Sequence, residues 1–337
     1  MHGSGYFLHI TGGELRSLSR SRPIERVLSA GGLPPDQAHE LVLVQQVRAY
    51  ARDCIGLKVG SAYTQFEDNA CGPVAYAVSA ARQDRLEPYE WTYPIIGAYE
   101  AKGFFDHGLA EQEAQRLRRK GYDAAINEVS GFSTMGILPD PIRSSNLQGD
   151  DVDLAILVFH ELMHNTIFKP SDTQFNESMA TFVGRAAAMQ YFRDTCGKDS
   201  PPAAAAARRL ADLTVIDDYV SDLYRRLDAL YREPIPKEEK IAQRQVIWAA
   251  QRQHFVESYE PLLKEPQLYR PLIDRMTDNA TVLAAHRYHS DLDVYTATYE
   301  RLGSDLRAVI ALLRQAARHQ DSQAFLRNWL AIPLLAA

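Results

Sequence analysis

Within the apolar run Val152-Asp-Leu-Ala-Ile-Leu-Val-Phe-His160-Glu161-Leu-Met-His164-Asn165 stand two histidines four residues apart, with a glutamate directly after the first. No other stretch constrains the fold as strongly. Helical periodicity puts His160 and His164 on one face, a turn apart, where both rings can reach one tetrahedral Zn²⁺. Glu161 can reach water at that ion without entering its coordination sphere, as a general base for hydrolysis must. With 10 His and 19 Glu in 337 residues, H-E-x-x-H arises by chance in about one such chain in sixty. The surroundings sharpen the reading. Leu154, Ala155, Ile156, Leu157, Val158 and Phe159 are apolar almost all round a helix, so burial is expected, and two histidines and a glutamate buried there need a partner.

A catalytic zinc usually keeps three protein ligands and leaves a fourth position for water. A metzincin would continue with Gly and His three and six residues after the second histidine, but Ile167 and Pro170 stand there. Pro170, Ser171 and Asp172 instead mark a turn, and a second apolar helix opens at Phe175-Asn176-Glu177-Ser178-Met179-Ala180-Thr181-Phe182. Glu177 falls in its first turn, thirteen residues after His164. A first-turn glutamate is also favoured by the helix dipole; the upstream histidines are what make Glu177 the expected third ligand. Two histidines and a glutamate, with Glu161 as base, describe a gluzincin-type site for one Zn²⁺ per chain.

Composition narrows the setting. A chain with 46% apolar residues buries a substantial core, and it contains no run of 18 or more apolar residues to span a membrane. A net charge of −6 argues against a nucleic-acid surface, and the basic run from Arg116 to Lys120 reads as a solvated helix face. Cys54, Cys71 and Cys196 form no CxxC pattern and read as buried thiols. Met1 to Ser4 read as an appended start and are set aside.

An amphipathic helix is expected over 36–55, then strands over 73–79, 92–99 and 123–129, the last continuing to Met135, with a helix over 109–120 stopping at Gly121. Helical spacing covers 176–195, the helix of Glu177, and then about 201–232. The turn Pro234-Ile-Pro236 and a return from Ile241 to Tyr259 complete an αα-hairpin. Further helices are expected near 268–276, 290–300, 304–319 and 321–331. The expected fold is α+β, mainly α, with a small N-terminal sheet and a long C-terminal helical region. Residues 5–337 then form one catalytic unit of three consecutive parts, 5–150, 151–200 and 201–337.

Several segments together carry a resemblance over nearly the full length. They are His9-Ile-Thr-Gly-Gly-Glu-Leu15, Arg22-Pro23-Ile24, the stretch from Trp91 to Phe105, Phe132-Ser133-Thr134-Met135-Gly136 with Asp140-Pro141, Phe159-His-Glu-Leu-Met-His164, and Phe175 to Val183. Asn279-Ala280, Tyr288-His289 and Gly303-Ser-Asp-Leu306 follow. With these the chain resembles a bacterial family of predicted aminopeptidases that often carry a lipoprotein signal, the run 159–183 being the specific part. The resemblance implies a thermolysin-like zincin unit, a zinc metallopeptidase acting on peptides, and a periplasmic or lipid-anchored native form, the alternative being cytoplasmic. It further implies that the edge Gly131 to Gly136, with Ser133 and Thr134, holds substrate as an added strand. Tyr288 is the candidate donor to the developing oxyanion and His289 the second. Asn279 is expected to add a supporting hydrogen bond, and Asn176 to orient a ligand. Cysteines frequent in the family near Thr92 and Ala98 are absent, and Glu128 stands where glycine is usual. A small zinc endopeptidase and a non-catalytic, zinc-stabilised helical binding protein remain the alternatives.

Overall fold

The chain is punctuated by polar caps and glycines that set where each element starts and stops. The computed structural model describes residues 19–69, 73, 75–93, 97–129, 140–147 and 149–333. In order these form β1 (Arg22–Pro23), α1 (Ile24–Ala30), α2 (Pro35–Tyr50, continued by a π-helical turn over Ala51–Ile55), β2 (Gln65–Glu67), β3 (Ala75–Arg82), β4 (Trp91–Tyr93), β5 (Gly97–Tyr99), β6 (Ala101–Phe104), α3 (His107–Arg119) and β7 (Tyr122–Val129). Then come β8 (Ile142–Arg143), α4 (Asp151–Thr166), α5 (Thr173–Cys196), α6 (Pro201–Arg232), α7 (Lys237–His254), α8 (Arg270–Arg275), α9 (Asn279–His289), α10 (Leu292–Arg301), α11 (Leu306–Ala316) and α12 (Ser322–Ala331). The fold is therefore α+β and mainly α, as expected. Among the described residues no helix is long and apolar enough to cross a membrane.

Two compact units divide the chain, one from 1–74, 130–206 and 291–337, the other from 75–129 and 207–290. They alternate along the sequence and so cut across the consecutive parts 5–150, 151–200 and 201–337.

In the first unit α4 and α5 form an αα-hairpin. Asp150 caps α4 by accepting from the Asp153 amide at 2.8 Å, and Asp172 caps α5 by accepting from Phe175 at 3.1 Å; each such cap stabilises its helix by about 1 kcal/mol. Both helices are apolar on the faces they bury, with Phe159, Leu162, Met163, Phe175, Met179 and Val183 at full burial. On one side Tyr50 of α2 meets Phe159 and Tyr191 edge-on, at 6.3 and 5.3 Å between centroids. On the other, Tyr295 of α10 stacks on Phe182 at 6.0 Å. A small sheet of order β1-β2-β8 completes the unit, β1 antiparallel and β8 parallel to β2.

The second unit has an antiparallel sheet of order β6-β3-β7, against which α3 and α9 pack. Successive residues Val78 to Ala81 are all buried, as they must be where both sheet faces are covered. Helices α6 (from Ala207 on) and α7 return on one another through Tyr219, Leu223 and Tyr231, with the Phe255 ring 5.0 Å from Tyr219. This is the αα-hairpin expected from the leucine spacing.

Three expectations change. The single strand over 92–99 is a hairpin, β4 antiparallel to β5 with Trp91 opposite Tyr99, and Gly97 at φ +75° supplies the left-handed turn residue. Residues 279–289, expected to lie between helices, are helix α9, because Asp278 and Thr281 form a reciprocal capping box. Cys54 and Cys196 are free and exposed rather than buried: Cys54 lies in the π-helical turn and Cys196 is the last residue of α5. Short β1, β2 and β8 were too brief to leave a periodic signal. Cys71 and the edge 131–136 lie outside the described residues.

Candidate metal centre

Helix α4 presents His160 and His164 to α5, which presents Glu177; because Asp172 caps α5 and the helix starts at Thr173, Glu177 stands in its second turn rather than, as expected, its first. The two Nε2 atoms lie 3.1 Å apart, and Glu177 Oε2 is 3.4 Å from His160 Nε2 and 3.6 Å from His164 Nε2. The imidazole rings meet edge-on, 4.8 Å between centroids at 80°. These distances decide whether zinc fits. Ligand atoms about 2.0–2.1 Å from a tetrahedral Zn²⁺ form edges of about 3.3–3.4 Å, and the three observed edges bracket that value. The chemistry agrees: two imidazole nitrogens and one carboxylate oxygen are ordinary zinc donors, and two ring nitrogens 3.1 Å apart hold at most one proton between them. Among the described residues this is the one cluster of three or more metal-ligating side chains.

Burial makes the triad electrostatically tight. It would lower the His164 pKa, but the charge and hydrogen bond of Glu177, with the charge of Glu161 behind, raise it instead. Burial would likewise raise Glu177, but His164 and His160 hold its carboxyl well below the usual carboxylate range. A metal held by His160, His164 and Glu177 would compete with protons for the ring nitrogens and favour the ionised carboxylate.

Asn176, next to Glu177, acts through the backbone. Its Oδ1 accepts from the Lys169 amide at 2.9 Å and its Nδ2 donates to the Lys169 carbonyl at 2.8 Å. That pair closes the turn between α4 and α5, and Lys169 Nζ is itself fixed to Asp172, Ser322 and the Gln320 carbonyl. The entry angle of the helix that carries Glu177 is thereby set.

Glu161 is half-buried, and its charge is felt at Tyr63, which no sequence pattern announced. Tyr63 is buried at 7% exposure with φ at +57°, a left-handed conformation costly for a large side chain. Its amide donates to the Asp140 carbonyl at 2.8 Å, and Lys58 two turns of loop earlier donates from its amide to Thr166 Oγ1, at the end of α4, at 2.9 Å. Burial, then the charges of Glu161 and Asp140, push the Tyr63 phenol well above its ordinary pKa against the opposing pull of Arg143.

The remaining nominated residues are placed differently. Ser133 and Thr134 lie outside the described residues. Tyr288, His289 and Asn279 belong to the second unit. Tyr288 is 37% exposed, whereas His289 is held by Asp217, Nδ1 to Oδ1 2.6 Å. That bond fixes which ring nitrogen faces the carboxylate. Asp217 was missed because its partner lies 72 residues away. Asn279 is fully buried: its amide donates to Asp123, its side chain donates to the Arg82 carbonyl and accepts from Tyr231. Those bonds fasten α9 to the sheet.

A family model described as "Putative aminopeptidase" matches residues 5–326. No protein of curated function and no solved structure matches the chain.

Proposed function

Since the chain belongs to the family described as "Putative aminopeptidase", we propose that it is a zinc-dependent peptidase, an aminopeptidase, whose metal is held by His160, His164 and Glu177. The observation that carries this reading is the triangle of donor atoms, with edges of 3.1, 3.4 and 3.6 Å, immediately beside Glu161. When bound, zinc supplies Lewis acidity, which acidifies water and polarises a carbonyl. The protein's own groups do the rest. Glu161 takes a proton from the attacking water as its oxygen bonds to the peptide carbon, then returns it to the leaving nitrogen as the C–N bond breaks. The donor to the carbonyl oxygen is carried over from the resemblance as Tyr288 or His289. Tyr288 is the first candidate and His289 the second.

Glu161→Gln tests the reading. Glutamine is nearly isosteric and Glu161 is not a ligand, so the variant is expected to keep one zinc per chain while hydrolysis of amino-acid amides and peptides falls about 10²- to 10⁴-fold. His160→Ala and Glu177→Ala are expected to lose the metal. A Glu161→Gln protein that retains zinc and hydrolyses at the parental rate sinks the mechanism. A parent that holds stoichiometric zinc yet cleaves nothing in a broad panel points instead to a zinc-stabilised binding protein.

A further inference from the structure

Helix α5 carries a glycine where its backbone does not ask for one. Gly184 sits in the middle of the helix without a positive φ, a position where alanine would favour the helix by about 1 kcal/mol. What it does have is a neighbour. A Cβ built on Gly184 would stand 3.0 Å from the Ile156 carbonyl oxygen, 3.2 Å from His160 Cβ and 3.3 Å from His160 N. Two of these atoms are α4 backbone and the third is the first side-chain carbon of a proposed metal ligand. None is the far end of a flexible side chain that could swing aside.

We propose that Gly184 is a positioning residue that sets the size of the donor triangle, and with it a preference for a small ion such as Zn²⁺ over a larger ion of the same charge. This rests on the reading of His160, His164 and Glu177 as the metal site. Gly184 lies seven residues after Glu177, two turns along one face of α5, so a single helix face carries both the third ligand and the contact that fixes its distance from α4. Relaxing contacts of 3.0–3.3 Å to an ordinary separation of about 3.5–4.0 Å moves the helices apart by a few tenths of an ångström. The edge between His160 and His164 lies within α4 and is unchanged by that movement. The two edges to Glu177, at 3.4 and 3.6 Å, cross from one helix to the other and lengthen. Both already stand at or above the roughly 3.3–3.4 Å edge of a zinc tetrahedron, so widening penalises Zn²⁺ more than a larger d¹⁰ ion.

The test is metal competition against a chromophoric chelator, with Zn²⁺ and Cd²⁺ measured separately on the full chain. Three proteins are compared: the parent, Gly184→Ala, and Ala187→Gly as a change in the same buried helix that adds no Cβ toward α4. In Gly184→Ala the zinc affinity is expected to fall about 10- to 100-fold, the range seen when the support of a ligand is disturbed. Cadmium affinity should fall less, so the Zn²⁺/Cd²⁺ ratio drops. Ala187→Gly should leave that ratio at the parental value. An unchanged zinc affinity in Gly184→Ala, or equal losses for both ions, overturns the proposal. Should Gly184→Ala fold only with metal, Cd²⁺ restoring the fold at lower excess than Zn²⁺ supports it, and the reverse order refutes it. A parent that binds neither ion removes the metal reading itself, a result distinguishable from all of these.

Discussion

Asp217 and His289 form a pair within the second unit, Nδ1 to Oδ1 2.6 Å. Asp217→Asn and His289→Ala are each expected to lower stability by about 1–3 kcal/mol, and the double variant by less than the sum of the two, as urea titrations of the four proteins read. Additive losses would show that the two side chains do not support each other. At this scale the proposed ligands were legible because they lie in short-range patterns: four residues separate the histidines, and Pro170 to Asp172 announce the helix that brings Glu177. Asp217 and Gly184 carry no such signal. Each meets a residue far along the chain, His289 and His160 respectively, and pairing across such separations leaves no local periodicity to read.

Elements show the same division. Long amphipathic helices such as α2, α6 and α11 fall where spacing put them, because three or more turns of apolar stripe outweigh any single exception. Helix α9 escaped notice, since its start depends on the box between Asp278 and Thr281 rather than on a stripe. Helix α3 offers a test of how an element is held to its sheet. Glu113 accepts from Trp91 of β4 at 2.9 Å and from Arg116 at 2.8 Å, with Lys102 of β6 3.5 Å away. Burial would raise its pKa, but the hydrogen bonds from Arg116 and Trp91 and the charge of Lys102 lower it from 4.5 to about 2. A carboxyl depressed in the folded state adds stability above its unfolded pKa and loses it as pH falls through the folded one. Glu113→Gln is therefore expected to be less stable than the parent by about 2 kcal/mol at pH 7. The gap should narrow between pH 4.5 and 2, as read by urea titrations at stepped pH. A gap independent of pH would mean that shape, not charge, holds α3 in place.

At the scale of the molecule, all three proposed ligands lie in the first unit, so metal should stabilise that unit by mass action. At a free zinc concentration about 100 times Kd the gain is about 2.7 kcal/mol, or roughly 100-fold slower exchange of amides that open with it. Hydrogen exchange with and without chelator should show that change across α4 and α5 and little in β3 and β7; equal loss in both would mean that the whole chain opens as one. Discontinuity in sequence is also why the units could not be anticipated, as no linker composition marks their borders. The same discontinuity bears on the order in which the protein is made. His160 to Glu177 span 18 consecutive residues, so the metal hairpin can close as soon as it leaves the ribosome. Tyr295, which covers Phe182 on the outer side of α5, is translated more than a hundred residues later. Throughout that interval the α4–α5 hairpin lacks the ring that stacks on Phe182 in the finished fold, so that flank is completed only when synthesis reaches α10.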